Sequence, residues 1–190
     1  MKRAPSASVP AAALLAVALA SGPTARAAGE DEWQLTARVG GANATGNPAS
    51  PWGLAAGGEL EYGVTDEWSA RLSIGTVAHP VDAVKDVSPA GTRRAMTAML
   101  GATYTIDILR LVPFVSGGVG LLRWSGPGES GRLTWAMDLG VGADYLMTPR
   151  WSMGASAQYL FAPSDLINNA RQFGEAPLAF SLTARISRIF

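Results

Sequence analysis

The sequence predicts an all-β protein, an eight-stranded antiparallel up-and-down β-barrel built to cross a membrane. Three observations predict it. Apolar and polar residues alternate with period two in eight successive segments, the connections between segments are alternately long and short, and aromatic residues collect at the segment ends.

The barrel is preceded by a leader. Met1-Lys2-Arg3 supplies positive charge, Ala11 to Ala20 is an unbroken apolar run, Gly22-Pro23 interrupts it, and Ala25-Arg26-Ala27 fits a signal-peptidase site. The run is shorter than the ~20 residues a transmembrane helix needs. Residues 1–27 therefore read as a cleaved signal peptide and residues 28–190 as the barrel. The leader takes Lys2, Arg3 and Arg26 and no acid with it, so the 15 basic residues fall to 12 against 15 acids, a net charge of −3. That balance gives no electrostatic footprint for nucleic acid. Cysteine is absent, which excludes disulfides, thiolate chemistry and a lipoprotein anchor.

The segments follow in order. In the first, Trp33, Leu35, Ala37 and Val39 share one face, and Gln34, Thr36 and Arg38 the other. The second sets Trp52, Leu54, Ala56, Leu60, Tyr62 and Val64 against Gly57, Glu59, Glu61 and Gly63. The third sets Trp68, Ala70, Leu72 and Ile74 against Ser69, Arg71, Ser73 and Gly75. The fourth, near Arg94 to Ile106, sets Met96, Ala98, Leu100, Ala102 and Tyr104 against Thr97, Gly101, Thr103 and Thr105. The fifth, Leu111 to Trp124, is small and apolar on both faces between Val115 and Gly120, so its facing stays open. The sixth sets Leu133, Trp135, Met137, Leu139, Val141, Ala143 and Tyr145 against Thr134, Asp138, Gly140, Gly142 and Asp144. The seventh sets Trp151, Met153, Ala155, Ala157, Tyr159 and Phe161 against Ser152, Gly154, Ser156 and Gln158. The last sets Phe180, Leu182, Ala184, Ile186 and Phe190 against Ser181, Thr183, Arg185 and Ser187, with Arg188 interrupting the apolar face.

A soluble sandwich also alternates. Segment length decides against it, since about ten residues are what a tilted strand needs to cross a bilayer. The connections Gly41–Pro51, Ala78–Gly91, Ser125–Gly131 and Ala162–Ala176 are long, while Thr65–Glu67, Asp107–Arg110 and Met147–Arg150 are short, as in barrels with external loops and periplasmic turns. Two aromatic girdles complete the pattern. Trp33, Tyr62, Trp68, Tyr104, Phe114, Tyr145, Trp151 and Phe190 mark the short-turn end; Trp52, Trp124, Trp135, Phe161 and Phe180 mark the long-loop end.

Eight strands enclose an interior that their own side chains fill. The inward set includes Arg38, Arg71, Arg132 and Arg185 beside Glu59, Glu61, Asp138 and Asp144. Enclosed charges must be paired or hydrated, so an internal salt-bridge network and a closed lumen are expected. Inward glycines such as Gly57, Gly101, Gly140 and Gly154 leave room for the arginines.

The chain resembles the small OmpA/OmpX-type outer-membrane β-barrels of Gram-negative bacteria. The matching residues are the Pro113–Gly120 strand opening, the Gly140–Tyr145 strand with its Thr148-Pro149-Arg150-Trp151 turn, and the terminal Phe190. The resemblance implies residence in the bacterial outer membrane among lipid and lipopolysaccharide. It also implies a C-terminal strand, ending in Phe190, that the barrel-assembly machinery reads.

No chemical motif competes with this. His79 beside Pro80 falls in a long connection and reads as a solvated residue, without the His-x-Ser pattern of barrel enzymes that remove acyl chains from lipid A. Asp82 and Asp86 lack the glycine and glutamate of a calcium loop, and Gly117-Gly118-Val119-Gly120 runs on into strand rather than helix, which excludes a phosphate loop. Neither catalysis nor a cofactor is expected. The expected role is structural or surface-interacting, as a monomer displaying its loops to a surface ligand. A small channel for apolar or small solutes is the alternative, and a lipid-modifying enzyme stands behind it.

Overall fold

The computed structural model describes residues 29–45, 52–81, 91–106, 110–126, 131, 133–163 and 178–190. The proposed leader, Asp82, Asp86 and Arg132 lie outside these described residues, as do most of the long connections. Eight strands run in chain order: β1 Trp33–Thr45, β2 Gly53–Gly63, β3 Trp68–Val81, β4 Gly91–Thr105, β5 Leu111–Ser125, β6 Leu133–Thr148, β7 Trp151–Phe161 and β8 Leu178–Ile189. Each pairs antiparallel with the next, and β8 returns to pair with β1, giving a closed barrel. Closure leaves no sheet edge with unpaired amides, the condition for a sheet to sit in hydrocarbon. The last bond of the seam joins the chain end to the start of β1, where the Phe190 amide donates to the Trp33 carbonyl at 2.9 Å.

Alternation becomes two surfaces. Leu35, Val39, Leu54, Ile74, Leu100, Leu139 and Met153 face outward and stay exposed, while Thr36, Glu59, Arg71, Ser73 and Ser187 between them are buried. This inverts a soluble core, as expected of a barrel with lipid as its outer solvent. Several strands run further than the alternation suggested. β1 continues to Thr45 and β3 to Val81, so both climb into stretches expected to be loop.

The short-turn end is tightly built. The Val64 and Thr65 amides donate to the Trp68 carbonyl at 2.8 and 3.1 Å. Thr65 Oγ1 accepts from the Glu67 and Trp68 amides at 3.3 and 3.0 Å, and Thr148 Oγ1 accepts from the Arg150 and Trp151 amides at the same distances. Threonine three residues ahead of tryptophan thus makes one turn device twice, its hydroxyl replacing a backbone acceptor. At the second, the β6–β7 register shifts between Leu146 and Thr148, a bulge next to the tight turn.

Aromatic pairs border the same end. Trp33 lies opposite Tyr62 with ring centroids 4.9 Å apart, and Trp68 opposite Tyr104 at 5.0 Å. Trp151 faces outward here, as does Tyr145, which is half-buried. Arg188 sits over the rings of Trp151 and Phe190 at 5.6 and 4.8 Å, so the cation that breaks the apolar face of β8 is absorbed by the girdle. At the other end Trp52 and Trp135 are exposed, and Phe161 and Phe180 sit half-buried around Tyr159.

Trp124 departs from its expected place in the outer girdle. It turns into the barrel and is buried, and Phe114 on the same strand does likewise. The physical reason is register. Leu121 stands opposite Ala98 of β4 and Trp135 of β6, both outward, which forces Leu121 outward and Trp124 inward. A strand that is small and apolar on both faces takes its phase from its neighbours.

Candidate functional site

The lumen is stacked in three layers. Val112, Leu146 and Ile189 form an apolar layer at the short-turn end. Ala95, Met99, Leu122, Trp124 and Ala136, with Val77 and Leu160 against them, form another toward the long-loop end. The charged residues lie between.

Glu59 is the hub of that middle layer. Its Oε1 is 3.1 Å from Arg38 Nη1 and 3.6 Å from Arg71 Nη1, and its Oε2 is 3.6 Å from Arg185 Nη2. Arg71 Nη2 donates to Asp138 Oδ2 at 2.6 Å. Arg185 lies 3.2 Å from Asp144 Oδ1 through Nε and 3.9 Å from Glu61 Oε1 through Nη2. Arg38, Glu59, Glu61, Arg71, Asp138, Asp144 and Arg185 thus come together from β1, β2, β3, β6 and β8. Arg132 is the one member of the expected set outside the described residues.

Uncharged side chains that alternation could only place on the inner face complete the layer. Gln158 accepts from Arg38 Nη1 and donates through Nε2 to Asp138 Oδ2 at 2.8 Å, linking two ion pairs. Thr103 donates to Glu61 at 3.4 Å, and Arg185 stacks 4.3 Å over the Phe114 ring. Thr36 with Ser187, at 2.8 Å, and Ser156 with Thr183, at 2.9 Å, bind the layer's rim. Neighbouring glycines are spatially required. A Cβ on Gly118 would stand 2.6 Å from Asp138 Oδ1, and one on Gly57 2.9 Å from Arg38 Nε.

A network of this kind is not a large source of stability, because desolvating the ions offsets their attraction. Its chemical consequence is a bore that is ionic at mid-height. Among the described residues, cavities of about 40 and 20 Å³ remain in the bore, the first bordered by Arg38, Asp138 and Gln158, the second by Glu61, Asp144 and Arg185. Such volumes suit one water molecule or so, whose share of liquid is about 30 Å³.

His79 is also placed differently from expectation. It is not a solvated loop residue but part of β3, buried and inward-facing, opposite Arg93 and edge-on to Trp124 at 6.2 Å. Arg93 in turn lies 5.8 Å over the Trp124 ring. The strand extension that carries His79 into the lumen has no signal in its sequence, since Pro80 and the mixed residues around it read as a long loop.

An antiparallel eight-stranded barrel with an apolar outer band, aromatic rims and a polar, filled lumen is a transmembrane β-barrel. The chain matches the outer membrane protein beta-barrel domain family over residues 12–174 and belongs to that family. Its fold is shared with the N-terminal β-barrel domain of OprF from Pseudomonas aeruginosa, at 18% identity and a TM-score of 0.56, covering 85% of this chain and 99% of that one. Neisserial surface protein A is similar at 15% identity and a TM-score of 0.58, covering 83% and 95%. OprG from Pseudomonas aeruginosa is similar at 11% and 0.57, covering 85% and 97%. No curated protein matches by sequence. The protein is a bacterial outer-membrane β-barrel.

Proposed function

We propose that the protein is a structural and surface-interaction barrel whose lumen is plugged by its own side chains, a rigid mount that presents its long connections outside the cell. The observation that carries this is the middle layer, where three arginines and four acids drawn from five strands meet across the bore between two apolar layers. A conduit for apolar compounds would need a greasy bore, and this one is ionic at its centre. Catalysis finds no support at His79, which lies edge-on to the Trp124 ring and opposite Arg93. Removal of residues 1–27 on export, recognition of the strand ending at Phe190 by the barrel-assembly machinery, and a monomeric state belong to the same proposal.

The test is conductance. Purified mature barrel reconstituted in planar bilayers is expected to show no defined unitary steps. Reproducible steps of one size, with passage of small solutes into vesicles, would overturn the plug and favour the channel.

A further inference from the structure

Two arginines stand on the outer wall just loopward of the level of Trp135. On β4 the outward positions run Arg94, Met96, Ala98, Leu100, and on β5 they run Arg123, Leu121, Val119. Met96 is directly opposite Arg123, and Arg94 is opposite Ser125, so the two arginines are diagonal neighbours on the outer wall at the long-loop end. Both are exposed, and Arg123 stands opposite Leu133 of β6 on its other side. Neither makes an ion pair with another described residue. Two like charges on adjacent strands repel, and a cation beside lipid is costly unless it reaches the interface or meets an anion.

The distribution of acids sharpens the point. Among the described residues, Glu59, Glu61, Asp138 and Asp144 are enclosed in the lumen, while Glu30, Asp31, Glu32, Asp66 and Glu67 lie at the short-turn end. No described acid stands on the outer wall at the long-loop end. Directly below the arginines the wall is a shallow apolar groove of about 620 Å³, floored by Ala56, Gly58 and Ala98, flanked by Ile74 and Leu121, with Arg123 at its rim. That volume lies within the ~300–1,000 Å³ common for ligand sites.

We propose that Arg94 and Arg123 with this groove form a lipid site for a multiply acylated, phosphorylated lipid of the outer leaflet, of lipid A chemistry. The guanidinium groups would hold a phosphate, with charge-assisted bonds that suit its oxygens, and an acyl chain would lie down the groove. The long connections mark this end as the external one, and the outer leaflet is where such a lipid resides. The site rests on the placement of the barrel in the membrane and not on the closed lumen, so either proposal can fail alone.

The test measures lipid retained by the refolded mature barrel in detergent, by native mass spectrometry, after incubation with bisphosphorylated lipid A, its dephosphorylated form, or phosphatidylglycerol. Wild type is expected to retain bisphosphorylated lipid A, and the R94Q/R123Q variant about tenfold less, as loss of charge-assisted bonds to a phosphate implies. The dephosphorylated lipid should be held no better by wild type than by the variant. R188Q, which removes an outward arginine at the opposite end, should leave retention unchanged. Raising salt on wild type should release the lipid, a readout independent of whether the double variant folds. Equal retention by wild type and R94Q/R123Q, equal retention of the dephosphorylated lipid, insensitivity to salt, or an equal loss in R188Q would each overturn the site. Phosphatidylglycerol retained as well as lipid A would overturn the assigned lipid class.

Discussion

On β2, Leu60 points outward between Glu59 and Glu61, which are both 4% exposed and face the lumen; on β4, Leu100 is 65% exposed to the membrane while Met99 beside it is buried. The outer wall and the bore are therefore made from the same strands, one residue in turn, and obey opposite rules. Outside, each side chain meets fluid lipid, so any apolar residue of any shape serves, and contacts between neighbours count for little. Inside, each charged group depends on particular partners on other strands, and Glu59 answers to three guanidinium groups at once. The outer wall is tolerant of shape and intolerant of charge. The bore is tolerant of charge and intolerant of losing a partner.

Exchanging the two chemistries should break each surface in its own way. The largest effect is expected from Glu59→Leu, which leaves Arg38, Arg71 and Arg185 enclosed without their shared acid. Removing one member of a buried ionic group costs about 3–5 kcal/mol, to be read from reversible urea unfolding in phospholipid vesicles. A loss below about 1 kcal/mol would mean that water, not Glu59, compensates the arginines.

Leu100→Arg is the mirror experiment, placing a charge near the middle of the outer wall between Met96 and Tyr104. It should cost about 2–4 kcal/mol in the same assay, whereas arginine nearer the interface costs about 0–1 kcal/mol. A small cost at Leu100 would show that this face does not meet hydrocarbon.

The smallest effect sharpens the claim that outer neighbours are nearly independent. The girdle is where that claim should fail, because Trp68 and Tyr104 are in ring contact at 5.0 Å. A double-mutant cycle with Trp68→Ala and Tyr104→Ala should give a coupling of about 0.5–1.5 kcal/mol. The same cycle on Leu72 and Leu100, which are opposite each other in register on the lipid face, should give a coupling near zero.

Period-two alternation in β1, β2, β3, β6, β7 and β8 was legible because each segment carries its own phase, and an outward leucine or tryptophan next to an inward serine, glutamate or arginine states it locally. The turn sites were legible as the short gaps between alternating segments. β5 was not legible. Its run from Val115 to Gly120 is small and apolar on both faces, so Phe114 and Trp124 were oriented only by hydrogen-bonded pairing with β4 and β6.

His79 shows the same division. Its neighbours along the chain resemble a loop, and only pairing of β3 with β4 as far as Val81 and Gly91 carries it into the lumen. Gln158 could be assigned to the inner face from alternation, yet nothing local singles it out from Ser152 or Ser156. Its role as the link between Arg38 and Asp138 follows from the closure of the barrel, which brings Arg38 of β1, one strand beyond β8, within reach of Gln158 beside β6.

Local sequence thus carried the architecture and the two faces of most strands. Tertiary structure alone decided the pairing of the charges in the bore, the phase of β5, the burial of His79 and the meeting of Arg94 with Arg123 on the outer wall. The physical reason is range. Alternation and turn chemistry act over two to four residues along one strand, whereas register is set across the sheet, and in a closed barrel every register depends on the next until the ring is complete.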